Sequence, residues 1–179
     1  MKCSVPTPEE RLRVFISSAQ NEENGLRWTE IRKRIKNHLK SCPYLNPFII
    51  EDTASTTPSN QFFQRQIMRA DIVVLLVKGE VRNGTSIEYT LSTKLKKPLM
   101  AYFLKDDNPS LDVVKLKTNI QTTDYCTYRE LDSFEGIEKS IFKDVLENTI
   151  RNYQDSSLFH DTTNMDIKTV VIHEETEHQ

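Results

Sequence analysis

A glutamate among short polar neighbours, Glu88 in the segment NGTSIE (residues 83–88), is the strongest candidate for chemistry in this 179-residue chain. A carboxylate beside the anomeric carbon of a sugar can attack that carbon, or stabilise the positive charge that develops as a base departs. The same spacing fits a capping box, in which Thr85 caps a helix and Glu88 bonds back to its backbone N–H. Both roles use the same oxygens, so the direction of the Glu88 side chain decides between catalysis and capping.

Hydroxyl or acidic side chains also follow three predicted strands. Ser17 and Ser18 leave the first strand, where small side chains let a ligand approach the backbone. Asp52 leaves the second strand, and acidic residues at this place often bind ribose hydroxyls in α/β nucleotide sites. Glu80 closes the third strand. Each feature taken alone also fits an ordinary loop or turn.

Their common position at strand ends is the stronger argument. In a parallel sheet the carboxyl ends of the strands meet at one edge, where ligands bind and helix N-termini point. We therefore expect one rim to carry Glu88 as the catalytic residue. The expected substrate-binding residues on that rim are Ser17, Ser18, Asp52, Glu80 and Thr85.

The elements that position these residues alternate between apolar strands and amphipathic helices. Strands are predicted at Arg13–Ala19, Pro47–Glu51, Ile72–Val77, Leu99–Leu104 and Thr123–Tyr128. Helices are predicted at Trp28–Lys40, Ser59–Ala70, Ser86–Lys96, Asp112–Ile120 and Ser133–Tyr153. Continuous apolar strands indicate a parallel sheet covered on both faces. The prediction is an α/β, flavodoxin-like fold with a five-stranded parallel sheet in order 2-1-3-4-5 and helices on both faces.

Charge excludes some partners. The net charge of -2 gives no general attraction to nucleic acid or to anionic membranes. Basic residues cluster in Arg27–Lys40, which we interpret as the solvated face of an amphipathic helix. The longest apolar run, Ile72–Val77, is too short to span a bilayer. We expect neither nucleic acid nor a membrane as a partner.

Cysteine, glycine and histidine usage narrows the chemistry further. Three cysteines without metal-type spacing indicate reduced thiols and a cytoplasmic setting. With only four glycines the chain has neither GxGxxG nor a phosphate-binding loop, so we expect no cofactor of those classes. The string between His173 and His178 lacks HExxH spacing, and we predict no metal site.

Three segments are expected along the chain. Residues 1–12 form an N-terminal extension, and residues 13–154 form the α/β domain. Residues 155–179 are polar, with one strand-like piece at Thr169–Ile172. They are either a tail or the start of a further element.

Several segments together resemble a TIR-like bacterial family of uncharacterised domains, which often precede signalling NTPases. They are RVFISSA, PFIIEDTAS, ADIVVLLVKGE and GTSIEY…KKPLMAYF. The unit D-x-V-V…G-T-x-x-E…K-P also resembles nucleoside 2-deoxyribosyltransferases and TIR-type NAD hydrolases. The resemblance covers roughly residues 13 to 128. The chain has Thr85-Ser86 where the TIR enzymes have a Trp-Cys pair.

The resemblance implies a TIR-like sheet and a catalytic role for Glu88, which matches the family glutamate. It implies cleavage of the N-glycosidic bond in NAD or a related nucleotide or nucleoside, often in bacterial anti-phage signalling. NAD would then be a substrate rather than a cofactor. A homo-oligomer on activation and an effector or NTPase partner are implied too. The alternative is a non-catalytic module for nucleotide sensing or self-assembly.

Overall fold

The computed structural model of this protein describes residues 6–19, 25–52 and 59–155, and within them one parallel sheet orders the molecule. Its strands are β1 (Leu12–Ser17), β2 (Leu45–Phe48), β3 (Ile72–Val77), β4 (Leu99–Leu104) and β5 (Cys126–Leu131). They pair in the order β2-β1-β3-β4-β5, and every pair is parallel. The predicted α/β fold and strand order are confirmed.

Helices connect the strands by crossovers. They are α1 (Trp28–Leu39), α2 (Ser59–Arg69), α3 (Asn83–Lys94) and α4 (Leu111–Gln121), followed by α5 at residues 137–155. Parallel crossovers are right-handed in almost all proteins. Since α1 leads from β1 to one side of it, and α2, α3 and α4 lead in the other direction, α1 lies on the face opposite to those three.

The face under α2, α3 and α4 holds a continuous apolar cluster. Residues of β1, β3, β4 and β5 pack there with residues of α2 and α4, and in β3 and β4 they are alternate residues because side chains of a strand alternate between faces. The buried members are Phe15, Ile67, Ala70, Val73, Leu75, Val77, Leu99, Ala101, Phe103, Val113, Leu116, Ile120 and Cys126. Burying a Val, Leu or Ile side chain contributes roughly 1.5–3 kcal/mol. All six residues of β3 are buried, which makes this strand the centre of the fold.

The opposite face is covered by α1, which packs against β1 and β2. Its buried stripe begins at Trp28, whose ring packs on Phe134 with centroids 5.6 Å apart. The stripe continues through Ile31, Ile35 and Leu39. The apolar side predicted for this helix is therefore confirmed.

Two compact units divide the chain at Ser140 and Ile141. The first contains the sheet and the start of α5. Of the second, the structure describes helix residues 141–155, in which Ile141 and Val145 are buried. The predicted tail at 155–179, with its strand-like piece and its histidines, lies outside the described residues after Asp155.

The edge strands differ from their predicted bounds. β2 begins at Leu45 rather than at Pro47, and it ends at Phe48. Proline is tolerated there because β2 is an edge strand. β5 begins three residues later than predicted, because its polar residues resemble a loop although they pair with β4 along its whole length.

Helix α3, which carries Glu88, begins three residues earlier than predicted. Asn83 is its first residue, and the first helical hydrogen bond runs from the N–H of Ser86 to the carbonyl of Arg82, 2.9 Å away. The last helical residue is Lys94, and two residues later Lys96 lies in the left-handed region, at a φ of 52°. The N–H of Lys97 there bonds the carbonyl of Ser92 at 2.9 Å, which satisfies a terminal carbonyl.

Candidate functional site

Glu88 lies in the second turn of α3 and does not cap the helix. Arg82 occupies the N-cap position, and Thr85 lies inside the first turn. The capping box considered for Thr85 and Glu88 is therefore absent. The expected place of Glu88 in the first turn is wrong for the same reason. Its carboxylate is free to serve a contact outside its own helix.

That contact is with β1. The hydroxyl of Ser17 donates a hydrogen bond to Oε2 of Glu88, across 71 positions of sequence. Both residues are buried, Ser17 at 5% and Glu88 at 4% exposure. Ser17 has the same strand parity as Phe15, so it faces the side of the sheet that α3 covers. Two of the predicted site residues are thus brought together at the carboxyl end of β1.

Burial changes the acidity of this carboxyl group. Removal from water raises the pKa of Glu88 from 4.5 to about 7, while the Ser17 hydrogen bond and the charge of Arg32 act in the lowering direction. Desolvation is the dominant cause, because it penalises the ionised form. A carboxyl group with a pKa near neutrality is a common property of catalytic sites.

Arg32 approaches the same strand end from α1. It is 1% exposed, and its guanidinium donates to the Ser18 hydroxyl and to the Ala19 carbonyl. A third donation reaches the Thr29 hydroxyl at 3.4 Å. The interpretation of the basic cluster as a solvated face is therefore wrong at this position.

The sequence contained a signal for Arg32. Position 32 follows Trp28 by four residues and precedes Ile35 by three, so helical spacing puts it on the apolar stripe. Its position on the stripe, rather than its basic side chain, indicates that Arg32 is buried. A charged residue on an apolar stripe at a predicted ligand rim marks a candidate site.

A small cleft opens beside the Ser17–Glu88 pair, with about 10 Å³ of space that the centre of a water molecule can occupy. It lies at the ends of β1 and β3 and at the start of α3. Its lining residues are Ala19, Trp28, Leu76, Val77, Lys78, Glu80, Arg82 and Thr85. A single water molecule needs roughly 10–15 Å³ of such space, so the described walls leave room for about one water. Residues 20–24 and 53–58, which follow β1 and β2, lie outside the described residues.

Trp28 contributes a second feature that sequence reasoning did not assign to the site. It is 2% exposed, and its indole N–H has no acceptor among the described residues. Buried indole N–H groups usually find a hydrogen-bond partner. This donor belongs to a residue of the cleft wall.

Two predicted residues of the site bond elsewhere. Asp52 accepts a hydrogen bond from the N–H of Ile49 at 2.9 Å and forms an ion pair with Lys36. Glu80 lines the cleft and forms an ion pair with Arg82 at 3.1 Å. Asp52 thus stabilises the turn after β2, whereas Glu80 lines the cleft.

Two negative findings concern the described residues alone. In residues 6–19, 25–52 and 59–155, no group of three or more His, Cys, Asp or Glu side chains could hold a metal ion. No helix in that part of the chain is both long and apolar enough to cross a bilayer.

Comparisons with known proteins reach the fold only. No family model matches the chain, and no curated protein matches its sequence. The CMP N-glycosidase of Clostridium botulinum superposes with a TM-score of 0.54 at 15% identity, over 72% of this chain and 96% of that one. A conserved protein from Enterococcus faecalis superposes with a TM-score of 0.50 at 10% identity, over 75% of this chain and 99% of that one. At these identities the chain shares their fold.

Proposed function

We propose that this protein cleaves the N-glycosidic bond of a nucleotide or nucleoside, with Glu88 as the catalytic carboxylate. The observation that carries the proposal is the buried Ser17–Glu88 pair beside a cleft at the carboxyl edge of the sheet. An N-glycosidase of the same fold supports it by analogy.

The reaction needs little besides one carboxylate. The bond between the anomeric carbon and the base nitrogen breaks, and its electron pair leaves with the base. Glu88 either bonds to the anomeric carbon or stabilises the cationic sugar. Water then adds to that carbon, displacing Glu88 where a covalent bond has formed, and gives a proton to solvent, so that the rest of the molecule carries a hydroxyl group at its anomeric carbon. Ser17, which donates to Glu88, orients the carboxylate and favours its ionised form.

NAD is the substrate that this chemistry favours. Its nicotinamide nitrogen is already positively charged, so the base leaves neutral without receiving a proton. The described part of the cleft contains no histidine that would serve as a general acid. Glu80, with a side chain 57% exposed, is the better candidate for ribose hydroxyls because Asp52 is already paired with Lys36. An anti-phage setting, an activated homo-oligomer and an NTPase partner belong to this proposal through the TIR-like resemblance.

The second candidate is a nucleotide-sensing module without turnover. One observation favours it: Glu88 is only 4% exposed, and Thr85 rather than Glu88 lines the cleft. A sensor needs the cleft and not an accessible carboxylate. Binding of NAD in calorimetry without any base release would favour this function.

Base release decides between the two functions. The pure protein is incubated with NAD and separately with CMP, at high protein concentration because TIR-like sites, which the chain resembles, often complete themselves across subunits. We expect nicotinamide from NAD with the wild type and about 10³-fold slower release with Glu88→Gln. Glu147→Gln, a matched change at an exposed ion pair with Lys143, should act as wild type. No release of either base by assembled wild type would overturn the enzymatic proposal.

The pH profile is the second test. An attacking or charge-stabilising carboxylate must be ionised, so the rate should rise as pH increases through about 7 and level off above it. A rate that falls over this range would mean that Glu88 acts as a proton donor.

A further inference from the structure

Arg32 is buried at a place where burial is expensive. Moving an arginine charge out of water costs several kcal/mol unless its N–H groups and its charge are satisfied. The Arg32 side chain is 1% exposed and uses its guanidinium on Ser18 and Ala19. Its neighbour Arg34 has a side chain 47% exposed, in an ordinary ion pair with Glu138. The unfavourable burial of Arg32 therefore needs an explanation, whereas the position of an exposed arginine such as Arg34 needs none.

The explanation lies in the position of the two groups that accept hydrogen bonds from Arg32. Ser18 and Ala19 come directly after Ser17, the residue that donates to Glu88. Because α1 and α3 lie on opposite faces of the sheet, Arg32 and Glu88 reach the end of β1 from opposite sides. The acidic side chain of Glu88 thus bonds Ser17, and the basic side chain of Arg32 bonds the two residues that follow it.

We propose that Arg32 is a positioning residue for Glu88: it fixes the exit of β1 so that Ser17 points at the carboxylate, and its positive charge favours the ionised form of that carboxylate against the effect of burial. The proposal rests on the proposed function for the value of the ionised form. Its test does not, because the ionisation of Glu88 is measurable without turnover.

Among the described residues, Arg32 is the charged group whose field acts on Glu88. Ser17 from β1 is neutral, and the charge of Arg32 is the ionic influence that acts on the Glu88 pKa, in the lowering direction. From α2, which packs on α3, the two arginines at positions 65 and 69 are exposed. On the connection before α3, Glu80 and Arg82 pair with each other, and Lys78 lies beside them on the cleft wall.

The experiment is a titration of the Glu88 carboxyl carbon by NMR in glutamate-labelled protein, with Glu88→Gln identifying the signal. Arg32→Met should raise the titration midpoint by about one pH unit, since removal of a nearby opposite charge favours the neutral form. Arg32→Lys keeps the charge and should restore most of the shift. Arg34→Met, a matched change on the exposed side of α1, should leave the midpoint where it is. An unchanged midpoint in Arg32→Met would overturn the proposal.

A second variant keeps the test open if Arg32→Met does not fold. Ser18→Ala removes one acceptor of the guanidinium and leaves the charge in the chain. It should move the midpoint upward by a smaller amount, and no movement would contradict the positioning role. In the rate profile the midpoint should follow the NMR midpoint. A shifted NMR midpoint without turnover in any variant would refute the enzymatic function and leave the role of Arg32 standing.

Discussion

The exits of β1 and β2 each hold a carboxylate near the same edge of the sheet, in opposite environments. At the exit of β2, Asp52 bonds a backbone N–H and pairs with Lys36, and it ends the strand in a short turn at Ile50–Asp52. At the exit of β1, Glu88 of α3 is buried with the Ser17 hydroxyl as its donor, and desolvation raises its pKa to about 7.

The difference separates a carboxylate that stabilises the fold from one that costs stability. Asp52 satisfies a backbone donor, which is the usual structural use of an aspartate in a turn. Glu88 replaces water by a single hydroxyl, so its ionised form is disfavoured. A carboxyl group whose pKa is raised by burial beside a cleft is typical of functional sites. Of the two, Glu88 is the residue to test for activity.

The largest expected effect is on turnover. Glu88→Gln should lower base release by about 10³-fold, or about 4 kcal/mol of barrier, because the catalytic charge is lost. Asp52→Asn should lower it by less than about tenfold, since the charge that it removes is already paired with Lys36. The check is the initial rate with NAD. Equal losses in the two variants would erase the distinction between the two sites.

The next effect is on stability, and its sign depends on pH. The pKa of Glu88 is raised from 4.5 to about 7 by folding, so its contribution is fully present below pH 4.5 and is lost as pH rises through 7. The loss is about 3 kcal/mol at 1.36 kcal/mol per unit. Glu88→Gln should therefore be about 3 kcal/mol more stable than wild type at pH 8 and nearly equal to it at pH 4, by urea unfolding.

Glu147→Gln is the control for that measurement, because loss of its exposed ion pair with Lys143 should change the free energy of unfolding by less than about 1 kcal/mol. A Glu88→Gln variant less stable than wild type at pH 8 would show that the carboxylate stabilises the fold, as Asp52 does.

The smallest effect concerns Asp52. Asp52→Ala removes the acceptor for the Ile49 N–H and the partner of Lys36, and should lower the free energy of unfolding by about 1–2 kcal/mol at pH 7. Asp112→Ala, at an exposed side chain 3.9 Å from Lys115, should cost less than about 0.5 kcal/mol. Equal small costs at both positions would deny Asp52 its structural role.

Prediction from sequence succeeded where one physical signal dominates. β3 and β4 have the predicted bounds, since strands buried on both faces are apolar throughout. It failed by two or three residues at the edge strands and at the start of α3. Pro47 in β2 and the polar residues of β5 have their meaning only through the strands beside them.

The sequence by itself predicted the parallel sheet and its strand order, which the structure confirms, and a candidate glutamate, because apolar runs and residue types can be read locally. Only the tertiary structure decided that Glu88 meets Ser17 rather than its own helix end, that Asp52 pairs with Lys36, and that Arg32 is buried. The physical reason is distance along the chain. Desolvation and charge pairing depend on which groups folding brings together, and Ser17 and Glu88 are 71 positions apart.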